Sequence, residues 1–334
     1  MKNTHRFDQV FAFARDLDRT PVIEWADWWD KTICNWREQG LPQQIKSGED
    51  IKNYFGQDNL HQFWLPVRDR DCPGPRSHGG PIIEDEKDYE KIKKHLYTDR
   101  LLRNIEQSIK AFLQENTGTD YAYWMTMDGF FWFPRTLLGI ENHLFAFYDY
   151  PELMHAINHD LCAYHKRCME VVCGLITPRF MTFAEDMSYN GGPMISKEKY
   201  DEFMLPYYKE LTPGLKAKGM KVLIDTDGDV EPLIPWFLEG GIQGILPLER
   251  MAGVDINRIR RRYPDLIMIG GYDKTVMHKG EEAMRAEFER ILPVIRSGGY
   301  IPAVDHQTPP DVTLENYTIF MSLLKEYSKK ISSK

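Results

Sequence analysis

The sequence predicts an α/β protein: a single (β/α)8 TIM barrel over residues 1–334, with an N-terminal extension over the barrel mouth. Three observations predict it. From residue 180 onward, short apolar runs alternate strictly with helix-spaced stretches, and this requires parallel strands joined by right-handed crossovers. Those runs close on reactive groups: VLIDTDGD at 222–229, GILPLE at 244–249, LIMIGGYD at 266–273 and YIPAVDH at 300–306. Chemistry collected at the carboxyl ends of parallel strands is the habit of this barrel. Finally, no GxGxxG follows the first strand and no GxxxxGK[ST] occurs, so the phosphate-cradling loops of the common nucleotide-binding sheets are missing.

Taken in order, residues 21–25 read as a first strand and residues 31–39 as a helix. Residues 41–80 are rich in aromatics, Pro and Gly without a clear period, and read as loop and short helix, a lid over the strand ends. Residues 85–97 and 99–114 have helical spacing and many charges. Residues 121–127 read as a strand, and 151–172 as a long helix with Pro151 at its start. Residues 1–120 are thus assigned to the extension and first strand, and 121–334 to the remainder of the barrel. Beyond 180–186, a strand ending in two acids, Ser196 caps a helix over 200–205, and a second helix over 207–218 stops at Gly219. Strands near 224, at 242–248, 266–270 and 301–304 then alternate with helices at 230–239, 256–262, 281–296 and 314–327.

Composition excludes several roles. A net charge of -8 argues against nucleic acid or an anionic membrane as partner, since both need basic patches. There is no apolar run long enough to span a bilayer and no secretory h-region after Met1. The 5 cysteines form no CxxC pair and their number is odd, which argues against a disulfide framework; Cys34, Cys72 and Cys173 read as buried thiols. The expectation is a soluble cytoplasmic protein.

The three acids Asp225, Asp227 and Asp229 at the end of one buried strand are the sharpest functional signal. Clustered like charges repel and are costly to desolvate, so fold stability does not call for them. Around them the motifs AEDMSYNGGPMIS (184–196), FMLPYY (203–208), DTDGD (225–229), GGYIP (298–302) and HQTPPDVTLEN (306–316) resemble the uroporphyrinogen decarboxylase superfamily. DRTPV at 18–22 looks like that family's entry to the first strand. The resemblance implies the TIM-barrel fold and two kinds of enzyme: cofactor-free decarboxylases, and zinc-dependent methyltransferases that serve a corrinoid protein, O-demethylase components among them.

The decarboxylases carry an arginine-rich segment near the first strand, where this chain has EWADWWD at 24–30. Acids there would repel a polyanionic porphyrinogen. The methyltransferases carry His-x-Cys-Gly where this chain has Asp225-Thr226-Asp227-Gly228, and a late Cys where it has His306. Oxygen ligands with one imidazole still suit zinc or a harder divalent ion acting as Lewis acid. The expected enzyme is therefore a methyltransferase taking a methyl group from a small donor, such as a methoxylated aromatic, to cobalamin on a corrinoid protein. The alternatives are a decarboxylase and a non-catalytic tetrapyrrole- or corrinoid-binding protein; a homodimer is left open.

The candidate residues are Asp227, Glu249 and His306 as metal ligands; Asp225, Asp273 and Glu185 as catalytic groups; and Trp25, Trp28, Tyr189 and Tyr272 as substrate contacts. Most also have a structural use. Asp229 can cap the following helix and Asp273 a turn; Glu249 can pair with Arg250; Trp25, Trp28 and Trp29 can be core or interface. His155, His159, Cys162, His165 and Cys168 lie along one helix, but spacing alone is a weak metal signal.

Overall fold

The computed structural model describes residues 1–332, and in it seven of the apolar runs pair as parallel strands. These are β1 (Leu60–Leu65), β2 (Ala122–Asp128), β3 (Phe180–Ala184), β6 (Lys221–Asp225), β7 (Gly244–Leu246), β8 (Ile267–Tyr272) and β9 (Tyr300–Val304). A two-residue antiparallel hairpin, β4 (Ser188–Tyr189) with β5 (Gly192–Pro193), interrupts the series after β3. The order β1-β2-β3-β6-β7-β8-β9 runs through one curled sheet, as successive right-handed crossovers dictate. Register aligns Asp128, Ala184, Asp225 and Leu246 across four neighbouring strands, so their carboxyl ends finish at one level.

The strands β3, β8 and β9 are buried along their whole length, as parallel strands covered by helices must be. The helices Leu205–Ala217, Glu281–Ser297 and Leu314–Ser328 supply that cover, against β6, against β8 and β9, and against β9 respectively. Caps fall where the sequence puts them. Ser196 Oγ accepts the Lys199 N–H, and Thr313 Oγ1 accepts the Asn316 N–H at 3.1 Å. No helix is long and apolar enough to cross a membrane among the described residues.

Three expectations are corrected. First, an eighth ladder is not formed: residues 21–25 lie between the start of β1 and the end of β9 but join no sheet. Pro21 has no N–H to give, and side chains intercept the next ones. The Val22 N–H goes to Asp58 Oδ2 at 2.8 Å and the Glu24 N–H to Gln57 Oε1 at 3.0 Å. The Trp25 indole donates to the Val304 carbonyl at 2.9 Å, tying the segment to β9. The sheet is therefore TIM-barrel-like with seven strands.

Second, the stretch 41–80 is no plain lid, because it contains β1. LHQFWL sets Phe63 and Leu65 into the buried layer while Gln62 and Trp64 turn to the other side, a period of two that the surrounding loop residues obscure. Third, the first helix, Asn3–Phe11, packs at the amino ends of the strands, opposite the mouth. Its Val10 carbonyl accepts the Gly299 N–H, and Phe11 meets Phe180 edge-on at 5.5 Å. Two helices between β2 and the long helix Pro151–Cys173 were also not expected: Trp132–Leu138 and Ile140–Asp149. Cys34 is exposed, whereas Cys162 and Cys168 are buried.

Candidate functional site

The loops leaving β6, β7 and β9 bring Asp227, Glu249 and His306 together at the carboxyl ends of the strands. One ligand atom from each lies within 4.8 Å of the others. His306 Nε2 stands 3.6 Å from Asp227 Oδ2. Glu249 is held from its other side, where Oε2 accepts the Gly228 N–H at 2.9 Å. Gly228 has φ +79°, and a Cβ there would come within 2.6 Å of the Tyr189 backbone, so only glycine lets the two loops pass this closely.

Further charges surround the trio. Asp186, at the end of β3, has φ +42°, and its carbonyl accepts from Arg135 at 3.3 Å. Burial, then the charge of Asp227, raises its carboxyl to about 6, against the pull of Arg135 and His306. Asp225 has an enclosed carboxyl that burial raises well above the ordinary range, with Asp186 and Asp227 adding to the shift. Burial and its two acidic neighbours thus favour the protonated form of Asp225 more than in a free carboxyl. The Asp227 carboxylate raises the His306 imidazole in turn. Lys274 brings its ammonium to 3.6 Å from Glu249 Oε1. On the β2 side, Asp128 accepts from the half-exposed Trp64 indole at 3.0 Å.

The aromatic candidates separate. Trp25 lies at the mouth with its ring edge-on to His306 at 6.0 Å, and Tyr189 on β4 is exposed. Trp28 is only 4% exposed, packed between Trp36 and Tyr317. Tyr272 is fully buried against Phe288 and Phe320, with its hydroxyl given to the Met284 carbonyl at 3.2 Å. Both are core residues, because an outward-facing strand position and a helix-covered face leave no route to the mouth.

Two catalytic candidates also go elsewhere. Glu185 turns away from the mouth and accepts the N–H groups of Phe130 (2.8 Å), Phe131 (2.7 Å) and Trp132 (3.2 Å), together with the Tyr208 hydroxyl. It anchors the loop that leaves β2, and burial pushes its carboxyl up to about 8 despite those donors. Asp273 caps the turn after β8, with Oδ1 accepting from Thr275 N at 2.8 Å and Thr275 Oγ1 at 2.6 Å. Asp229 has the capping role too, accepting the Glu231 N–H at 3.2 Å. The helix bearing His155, His159, Cys162, His165 and Cys168 gathers no three-ligand group among the described residues.

Asp186, Lys274, Asp305, Arg135 and Asp128 were missed as site residues. For four of them a signal exists in the chain: Asp128 and Asp305 directly follow an apolar run, Asp186 is the second of two acids after one, and Lys274 follows Asp273 at such an end. Arg135 gives none, since it arrives on a helix that no sequence pattern marks.

The chemistry of the trio suits a divalent ion. Two carboxylates and one imidazole are borderline-hard donors of the kind zinc accepts with a further position left open. Like charges gathered at one mouth also gain from a cation between them.

Comparison with known proteins places these observations. The profile of the family described as Uroporphyrinogen decarboxylase (URO-D) matches residues 80–327. Curated relatives include the uroporphyrinogen decarboxylase of Alcanivorax borkumensis, 28% identical over 205 residues, covering 57% of this chain and 53% of that protein. That of Pseudomonas putida is 30% identical over 150 residues, covering 41% and 39%. The chain spans about half the length of the curated relatives it matches. Among solved structures, a methyltransferase from Methanosarcina mazei superposes with a TM-score of 0.61, covering 98% of this chain and 99% of that one. At 12% identity this is a likeness of fold.

Proposed function

The chain belongs to the uroporphyrinogen decarboxylase (URO-D) family, and from that premise we propose that it is a metal-assisted methyltransferase. It takes a methyl group from a small donor and passes it to a corrinoid carried by a partner protein. The observation that carries this reading is the convergence of Asp227, Glu249 and His306 on one small space at the strand ends. A divalent ion held by these three, most naturally zinc, would supply Lewis-acid polarisation of the atom that gives up its methyl group.

The chain's own residues have distinct parts in this reading. Asp227, Glu249 and His306 would hold the ion, His306 as the neutral imidazole that Asp227 otherwise biases toward its protonated form. Asp225, whose carboxyl burial raises, is the group placed to give a proton to the heteroatom left behind by the methyl group. Trp25, beside His306, and the exposed Tyr189 form walls against which a flat or apolar donor rests. The mouth between them faces the corrinoid protein.

Incubation with a reduced corrinoid protein and a panel of methoxylated aromatics, methylamines and methylthiols tests the proposal. Methylcobalamin formed with one donor class, and lost on chelation, is the expected result. No methylcobalamin with any donor ends the reading.

A second reading, decarboxylation without a metal, draws on the same Asp225, whose raised carboxyl can deliver a proton to the carbon left by departing carbon dioxide. The curated relatives named above are uroporphyrinogen decarboxylases, which also favours it. Against it stands the segment 24–30, which offers acids and aromatics but no arginine, where a polyanionic substrate needs arginines. Loss of carboxyl groups from uroporphyrinogen by chelated protein would decide for it.

A further inference from the structure

One carboxylate at the mouth has no place in the reaction just described, and it is the most completely buried of the group. Asp305 has a side-chain exposure of 0%. Its Oδ2 accepts the Arg250 N–H at 2.8 Å and its Oδ1 the Lys274 N–H at 3.2 Å. Its own N–H donates to the Tyr272 carbonyl at 2.9 Å. The Lys274 ammonium lies 3.6 Å from Asp305 Oδ1 and 3.6 Å from Glu249 Oε1. Arg250 is the residue after Glu249, and Asp305 is the residue before His306. A single side chain therefore ties together the ends of β7, β8 and β9, at points one residue away from Glu249 and from His306.

Burying a whole carboxylate is costly unless it is paired and hydrogen-bonded, and an apolar side chain would close three strand ends at less cost. What an apolar side chain cannot do is fix two backbone N–H groups and one ammonium at set distances. We propose that Asp305 is a positioning residue for the metal site: it fixes the separation of Glu249 and His306, and it holds Lys274 so that Glu249 presents one oxygen to the ion. This rests on the metal reading above. Groups that orient metal ligands from behind are worth about 10–100-fold in metal affinity.

The test uses full-length protein stripped of metal and titrated with Co2+, whose visible absorption reports ligand geometry, with Zn2+ followed by competition. Asp305→Ala is expected to weaken Co2+ binding by about 10–100-fold and to alter the band shape. Asp305→Asn, which keeps one acceptor oxygen, should fall between it and wild type. Circular dichroism and Tm establish that each variant is folded, and the isosteric Asn variant carries the test if the Ala variant does not fold. A merely structural Asp305 would lower Tm while leaving the affinity and spectrum of the folded protein unchanged, and that result overturns the inference while the metal reading stands. Wild-type protein that takes up no stoichiometric Co2+ removes the metal reading and this inference with it.

Discussion

His306 Nε2 and Asp227 Oδ2 face each other at 3.6 Å, beyond hydrogen-bonding range, from loops that leave β9 and β6. Two ligands each about 2.0–2.2 Å from a tetrahedral ion stand about 3.4 Å apart, so the gap is close to what a shared ion requires. Burial first, and the Asp227 charge after it, raises Asp186 and Asp225. Both acids sit beside the Asp227 charge in an enclosed place, and a cation at the trio would relieve them.

His306→Ala should therefore lose metal. With an imidazole removed from a three-residue shell, zinc affinity is expected to fall more than tenfold, and methyl transfer to fall with it. Metal content of the purified variant by mass spectrometry, beside wild type with about one ion per chain, is the check. Full occupancy in His306→Ala would take the residue out of the shell.

Trp25 and Trp28 give opposite expectations three residues apart. Trp25→Ala should raise KM for the methyl donor with a modest change in stability, because the ring is partly exposed and faces His306. Trp28→Ala empties a cavity between Trp36 and Tyr317 and should cost roughly 3–5 kcal/mol. Donor kinetics and urea midpoints on both variants separate them; equal effects on KM would contradict the assignment.

The contrast between these two tryptophans marks how far a sequence of this kind can be read. Strand ends are legible because an apolar run stopping on an acid is a local pattern, so Asp225, Asp227, Glu249 and His306 group together from the sequence alone. The direction of a side chain after the strand has ended is not local. Glu185 and Asp186 are adjacent, yet one turns into donors from the β2 loop and the other, with φ +42°, into the mouth. The missing eighth ladder is equally hidden, since the acceptors that intercept its N–H groups come from Gln57 and Asp58, more than 30 residues away. β1 escapes notice because its period-two pattern is only six residues long inside an aromatic-rich stretch.

A pH-dependent stability difference should come from His143. The ring is fully buried against Phe131 and Phe147, both nitrogens lack partners, and burial lowers its pKa from 6.5 to about 3. A folded pKa below the unfolded one means that the unfolded chain binds the proton first. The contribution is whole above pH 6.5 and is lost as pH falls through that value toward 3. The raised acids Glu24, Asp186 and Asp305 act in the opposite direction, so the difference between proteins is the useful quantity. Between pH 7 and pH 5, wild type should lose roughly 2 kcal/mol relative to His143→Leu. Urea unfolding of both at the two pH values measures it, and an unchanged gap would refute it.

Glu185→Ala should behave as a stability variant and leave the metal trio intact. The side chain accepts three backbone N–H groups and the Tyr208 hydroxyl, and it is fully buried. Its removal leaves those donors in a space closed to water, since the neighbouring Phe130, Phe131 and Tyr208 are buried as well. Each orphaned buried donor costs about 1–3 kcal/mol, partly relieved if a water enters the vacated volume. A net loss of roughly 3–5 kcal/mol is therefore expected, enough to lower the urea midpoint markedly. The loop from Phe130 to Trp132 should then show faster amide exchange than the strands around it. Zinc affinity of the folded fraction should match wild type, because Glu185 points away from Asp227, Glu249 and His306. Wild-type stability together with lost activity would return Glu185 to the catalytic group from which its hydrogen bonds remove it.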